Sequence, residues 1–145
     1  MKDASKIKVG IVYSQYYFDE IIGPMLAGAE EVLNQAGVLE KNVFKIPVSG
    51  SWEIPYGCLL LLKKKKVDTV ITLGCVIKGE TTHDHHISAA VSEALMQLSL
   101  DRRVPISFGV MNANTMQQAL ARSSGDNNKG KGVAIAALEM ALLAL

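Results

Sequence analysis

The sequence predicts an α/β fold: a doubly wound, four-stranded parallel sheet with helices on both faces. Three observations predict it. Short apolar runs of β character alternate with longer runs of helical period along the whole chain. No hairpin signal joins any two of the apolar runs, so consecutive strands need crossovers and lie parallel. The 145 residues are 49% hydrophobic and 20% charged, which suits one domain, residues 1–145, with a core of its own.

The elements follow in order. Ile7–Tyr13 reads as the first strand, and Ile21–Ala36 as a helix that stops at Gly37. Val43–Pro47 is a shorter second strand and Ile54–Lys65 a helix with a compact apolar face. Thr69–Leu73 is the third strand, followed by a helix over Ile87–Ser99. Pro105–Met111 is the fourth strand, Thr115–Ser123 a helix, and Lys129–Leu145 a last helix rich in Ala and Leu. With right-handed crossovers this pattern makes a flavodoxin-like sheet. Its ligand edge lies at the carboxyl ends of the strands, where Ser14–Phe18, Val48–Glu53, Cys75–His83 and Met111–Asn114 meet.

Composition narrows the function. The net charge is +1, without the basic excess that marks a nucleic-acid binder. The run Lys63–Lys66 follows an apolar helical segment and reads as a solvated helix end whose cations oppose the dipole. Cys58 and Cys75 sit in apolar segments without metal-type spacing, as buried reduced thiols of a cytoplasmic protein do. No leader or membrane span is expected, and no nucleic-acid or membrane partner. The last helix ends on Met140–Leu145 with almost no polar face; core packing or a second subunit must cover it.

The densest chemical signal is Gly74–His83. An apolar strand runs into a glycine turn, two hydroxyls (Thr81 and Thr82) and His83, just ahead of a helical pattern. A helix N-terminus attracts anions, and imidazole transfers protons near neutrality. The segment therefore suits an acidic small molecule on which protons move. A plain turn with an N-cap fits the same residues. Tyr16, Tyr17 and Phe18 follow the first strand, and one of such a cluster can stack on a planar ring. Trp52 and Glu53 follow the second strand; taken alone they read as a packing residue and a helix-entry carboxylate. His83, Asp84, His85 and His86 form a cluster without the third ligand a metal needs. Arg122 and Lys129 suit phosphate, or else serve as ordinary helix-end cations.

Taken together, Gly50–Pro55, Gly74–His83, Pro105–Val110, Gln118–Arg122, Asn128–Gly130 and Ala134–Met140 resemble, in order and spacing, the motifs of the lumazine synthase family. The resemblance covers nearly the whole chain. It implies condensation of 5-amino-6-ribitylaminouracil with 3,4-dihydroxy-2-butanone 4-phosphate to 6,7-dimethyl-8-ribityllumazine, the penultimate step of riboflavin biosynthesis, without cofactor or metal. It also implies the roles of the site residues. Tyr16, with Tyr17 as the alternative, stacks on the ring. Ser51, Trp52 and Glu53 line the ribityl chain. Val76, Ile77 and Lys78 border the pyrimidine, and Phe108 closes its pocket. Glu80, Thr81, Arg122 and Lys129 hold the phosphate, and His83 is the general acid/base. A homopentamer is implied, with Phe108, Arg122 and Lys129 supplied by the adjacent subunit. The first strand starts early, so an isolated pentamer or a pair of pentamers is expected rather than a shell. The chain departs from the family pattern at Asp84-His85, where an aromatic and then an acid are usual. A riboflavin synthase of the archaeal type, a ring-binding protein without catalysis and a scaffold subunit are the competing readings.

Overall fold

The computed structural model describes residues 3–79 and 81–145. Five strand segments, β1 (Val9–Ser14), β2 (Val43–Val48), β3 (Thr69–Ile77), β4 (Ile106–Ser107) and β5 (Val110–Ala113), form one parallel sheet. The order is β2-β1-β3, with β4 and β5 together filling the fourth position. Val9 pairs with Val43 on one side and Thr69 on the other. Eight of the nine residues of β3 are buried, as a central parallel strand requires when helices cover both faces. The predicted flavodoxin-like arrangement is what the chain adopts.

Two helical layers complete it. On one face lie α1 (Gly23–Gln35), α4 (Met116–Ala121) and α5 (Lys129–Leu143). Their core joins Ile11, Ile71 and Leu73 of the sheet to Met25, Leu33, Ala134 and Leu138. On the other face lie α2 (Ile54–Lys64) and α3 (His83–Arg102), where Val12 and Val70 meet Ile54, Leu61, Val91 and Leu95. Gly37 stops the first helix in the left-handed region, with φ 91°, a conformation glycine adopts without steric cost.

Four boundaries differ from expectation, each for a physical reason. The third strand does not end at Leu73. Gly74, Cys75, Val76 and Ile77 pair with Val110–Ala113, so cross-strand bonding carries it four residues further. The fourth strand is split instead of continuous. Between its halves the Thr72 hydroxyl donates to the Ser107 carbonyl (2.8 Å) and accepts from the Gly109 amide (3.0 Å), replacing part of the ladder. The register is the same on both sides of the break. The first helix is entered through a π-helical turn, Phe18–Ile22. The third begins at His83, not at Ile87.

Close packing between α1 and α5 depends on Asn128 and Gly130. Asn128, the N-cap of α5, accepts from the Gly130 amide (2.8 Å) and donates to the Pro24 carbonyl (3.0 Å). A Cβ on Gly130 would collide with the Met25 carbonyl, whereas one on Gly132 would meet nothing. Helix propensity alone favours alanine at both positions, by about 0.5–1 kcal/mol. Gly132→Ala is therefore expected to raise the unfolding free energy by about that amount, and Gly130→Ala to lower it by about 1–3 kcal/mol through overpacking. Urea denaturation of the two variants checks the opposite signs.

Both thiols are buried and free. Burial pushes Cys58 up to about 12 and Cys75 up to about 11, the Arg122 charge offsetting part of the rise at Cys75. The unfolded chain ionises its thiols near pH 9 while the fold keeps them protonated. Their contribution is therefore complete below about pH 9 and is lost as pH rises towards the folded values. Each thiol is expected to cost the fold about 1.4 kcal/mol per pH unit in that window. The urea midpoint measured from about pH 8 to 11 should fall, and fall less in Cys58→Ala than in the parent.

Candidate active site at the carboxyl edge of the sheet

Three strand ends deliver the expected residues to one edge. After β1 the Tyr16 amide donates to the Ser49 carbonyl (3.2 Å) and to Ser14 Oγ (3.1 Å), tying the first loop to the second. Tyr17 is held at φ 62°, uncommon for a bulky residue and characteristic of constrained loops. Its ring packs against the core, and burial raises its hydroxyl above the ordinary value, with Tyr16 adding to the rise. The Tyr16 ring stands edge-on to it at 4.5 Å and is 63% exposed. Of the two tyrosines, Tyr16 is the one with a free face.

After β2, Ser51, Trp52 and Glu53 form a 3-10 turn leading into α2. Ser51 is buried and donates to the Cys75 carbonyl (3.4 Å), which fastens this turn to β3. Glu53 is exposed, and its Oε1 accepts from Ser49 Oγ at 2.9 Å. That contact leaves the other carboxylate oxygen for a ligand donor. Trp52 is 60% exposed. It lines, with Tyr56 and Leu59, one wall of a groove of about 490 Å³ whose other wall is Ala90, Ala94 and Leu98 of α3.

After β3, Val76 is buried on the α2–α3 side while Ile77 packs on the opposite face. Lys78 is exposed, its amide bonded to the Ala113 carbonyl (2.8 Å). Glu80 lies outside the described residues. His83 is exposed and is the first residue of α3. Its amide donates to Thr81 Oγ1 (3.2 Å), so Thr81 caps the helix and keeps its own proton to donate. Thr82 occupies the cap position but pairs with His86 Nε2 (3.3 Å) instead. Asp84 is buried beside them. Its Oδ2 lies 3.9 Å from His85 Nε2, and its Oδ1 has no hydrogen-bond partner among the described residues. Among the described residues no three His, Cys, Asp or Glu side chains group to hold a metal.

The remaining expected residues lie apart from these. Arg122, at the end of α4, donates to the Asn112 carbonyl (3.4 Å). It shares a cavity of about 530 Å³ with Lys129 and Lys131 whose lining includes none of Ser51, Glu53, Thr81 or His83. Phe108 sits at the break in the fourth strand and lines a groove of about 710 Å³ between α3 and α5, beside Met96 and Met140. Neither cavity lining includes the imidazole, although the Arg122 charge reaches Cys75 of β3. Ser49 and Lys131 escaped the sequence reading. Ser49 stands four residues before Glu53, a spacing that offers a hint, whereas nothing local marks Lys131.

A parallel α/β sheet with a hydroxyl-, carboxylate- and imidazole-bearing carboxyl edge defines a small-molecule enzyme of the doubly wound class. The comparisons specify it further. The family model described as 6,7-dimethyl-8-ribityllumazine synthase matches residues 6–144. The chain is 42% identical to the 6,7-dimethyl-8-ribityllumazine synthase of Rhodopirellula baltica, over 92% of this chain and 86% of that protein. It is 41% identical to that of Prochlorococcus marinus strain AS9601, over 97% and 90%, and 37% identical to that of Phocaeicola vulgatus, over 95% and 82%. The chain belongs to the 6,7-dimethyl-8-ribityllumazine synthase family.

The orphaned Asp84 oxygen makes a separate prediction. A buried acceptor without a donor costs about 1–3 kcal/mol. Asp84→Leu, which removes the acceptor and keeps the branched shape, is expected to raise the unfolding free energy by about that amount, read from urea midpoints. Unchanged or reduced stability would mean that Oδ1 is satisfied in solution.

Proposed function

We propose that this protein condenses 5-amino-6-ribitylaminouracil with 3,4-dihydroxy-2-butanone 4-phosphate to give 6,7-dimethyl-8-ribityllumazine, as a cofactor-independent transferase of riboflavin biosynthesis acting in the cytoplasm. The observation that carries the reading is the meeting, at one sheet edge of a family member, of Ser51, Glu53, Thr81 and His83. Tyr16 offers the free ring face for the pyrimidine, bordered by the ends of Val76, Ile77 and Lys78. Glu53, oriented by Ser49, accepts from ribityl hydroxyls alongside Ser51 and Trp52. The amine of the uracil attacks the butanone carbonyl, and water leaves as the Schiff base forms. Phosphate is then eliminated, the ring closes and a second water departs. Each stage needs a proton moved, which is the role of His83. Arg122 and Lys129, with Thr81 and Glu80, receive the phosphate.

The active assembly in this reading is a homopentamer with sites between subunits. Two features support it. On one chain the cations and Phe108 line cavities that do not include His83. Met96, Leu100, Phe108, Met140 and Leu143 are exposed, and all five line one groove of a kind that marks interfaces.

Lumazine formation followed by absorbance tests the reaction. His83→Ala is expected to lower kcat by about 10²-fold or more, with little effect on KM for the uracil. Arg122→Ala is expected to raise KM for the butanone phosphate about tenfold or more. Dissociating the two variants together and reassembling them should restore part of the activity, because mixed interfaces join an intact His83 to an intact Arg122. Mixed assemblies that form and stay inactive would place the whole site on one chain.

A further inference from the structure

The pole of the molecule opposite the site carries a concentration of charge that the reaction does not use. Lys63, Lys64, Lys65, Lys66, Arg102 and Arg103 surround one cavity of about 510 Å³ together with Leu62, Val67 and Val104. All six cations are exposed, and the lining contains no carboxylate. They are six of the chain's 15 Lys and Arg residues in a protein of net charge +1. The nearest acids in sequence are engaged elsewhere. Asp68 accepts from the Lys8 amide (2.8 Å) and Asp101 from Gln97 Nε2 (2.9 Å). No ion pair among the described residues involves any of the six.

Helix-end electrostatics explains only part of this cluster. Lys63, Lys64 and Arg102 occupy the last turns of α2 and α3, where cations offset the dipole. Lys65, Lys66 and Arg103 lie beyond the last helical residue and add mutual repulsion. Lys65 Nζ stands 5.0 Å over the Phe44 ring, held towards β2 by a cation–π contact. Arg103 is held at φ 56°, its amide closing α3 on the Ser99 carbonyl. Glycine is the usual residue at such a helix stop, and an arginine there is strained. A left-handed backbone at Arg103, beside Arg102 and four lysine ammonium groups and with no carboxylate in the lining, gives this cavity the chemistry of an anion site.

We infer that this basic pole is a second, non-catalytic binding site for an anion of linked phosphates. Six cations exceed what one phosphate group engages, and the ring spans two helix ends. The lining holds no aromatic side chain, so recognition is by the phosphate chain and not by stacking on a base. The site lies where β3 and β4 begin, about 26 Å along β3 from the edge that carries His83.

Isothermal titration of the full chain with inorganic tripolyphosphate, at about 50 and 200 mM salt, tests the inference. With the phosphate-binding cations of the proposed reaction removed by Arg122→Ala/Lys129→Ala, binding near one per chain is expected from this pole, about tenfold or more tighter than orthophosphate and weakening with salt. Lys64→Gln/Arg103→Gln should weaken it about tenfold or more, while Arg122→Ala/Lys129→Ala leaves it in place. Arg103→Gly should also weaken binding, although it relieves the left-handed residue and raises Tm by about 3 °C; this separates lost charge from lost fold. The inference is overturned if the parent fails to bind tripolyphosphate at low salt. It is equally overturned if the Lys64/Arg103 variant or Arg103→Gly retains the parent affinity, or if the Arg122/Lys129 variant is the one that loses it.

Discussion

The burial of β3 on both faces is the constraint on which the rest depends. A strand with no exposed face cannot turn back through a hairpin beside its neighbour without leaving one side of the sheet bare. Helical crossovers cover both faces and make every strand parallel. Once the strands are parallel, all their carboxyl ends emerge at one edge, and the loops that follow are forced together there. The loops that carry Tyr16, Ser51 with Glu53, and His83 are distant in sequence and reach one edge for this reason. The same constraint sends the amino ends of β3 and β4 to the other edge. There the helix ends that precede them bring Lys63–Lys66 and Arg102–Arg103 together. Both charged poles are consequences of one topological choice.

Hydrogen bonds between loops then convert proximity into geometry. Tyr16 to Ser49, Ser49 to Glu53 and Ser51 to Cys75 link the three site-bearing segments in sequence. Each bond is modest in isolation. As a chain they fix where the tyrosine, the carboxylate and the end of β3 stand relative to one another, and fixed relative position is a large part of what a site contributes to a reaction. Thr72 plays the corresponding part in the sheet. Its hydroxyl bridges the interrupted fourth strand, which lets Phe108 depart from the sheet while Val110–Ala113 return to register. Without that bridge the extension of β3 to Ile77 would have no partner strand.

The fold was legible in the sequence because its determinants are local and repetitive. Apolar runs, helical period and the glycine stop at Gly37 can each be read within a dozen residues. The misplaced boundaries have a different cause. Gly74 looked like the end of a strand, yet its lack of a side chain serves close approach by Ser51 and Ile54, and pairing with β5 keeps the chain extended. His83 looked like a loop residue because His, Asp and Thr are weak helix formers; capping by Thr81 brings it into the helix nonetheless. Motif spacing singled out Ser51, Glu53 and His83, whose positions are tied to strand ends. It did not single out Lys131, which lies two residues past Lys129, lines the same cavity and pairs with Glu31 (3.5 Å). Nor did it reveal the basic pole, since Lys63–Lys66 and Arg102–Arg103 are separated in sequence by a strand and most of a helix.

The exposed apolar side chains bear on catalysis as well as on assembly. Phe108, Met96, Leu100, Met140 and Leu143 lie on the side of the sheet where the fourth strand breaks, and an apolar groove of that extent favours cover by another surface. On one chain the groove and the Arg122 cavity stand outside the edge that holds His83. A second copy that buried the groove would carry its own Arg122, Lys129 and Phe108 with it. In that arrangement the free energy that drives association and the geometry that completes the site come from the same contact. An isolated subunit would then keep its fold, because both cores are internal to the chain, and lose its chemistry. Folding and activity would be separable in that arrangement, because the cavity of Arg122 and Lys129 does not include the imidazole.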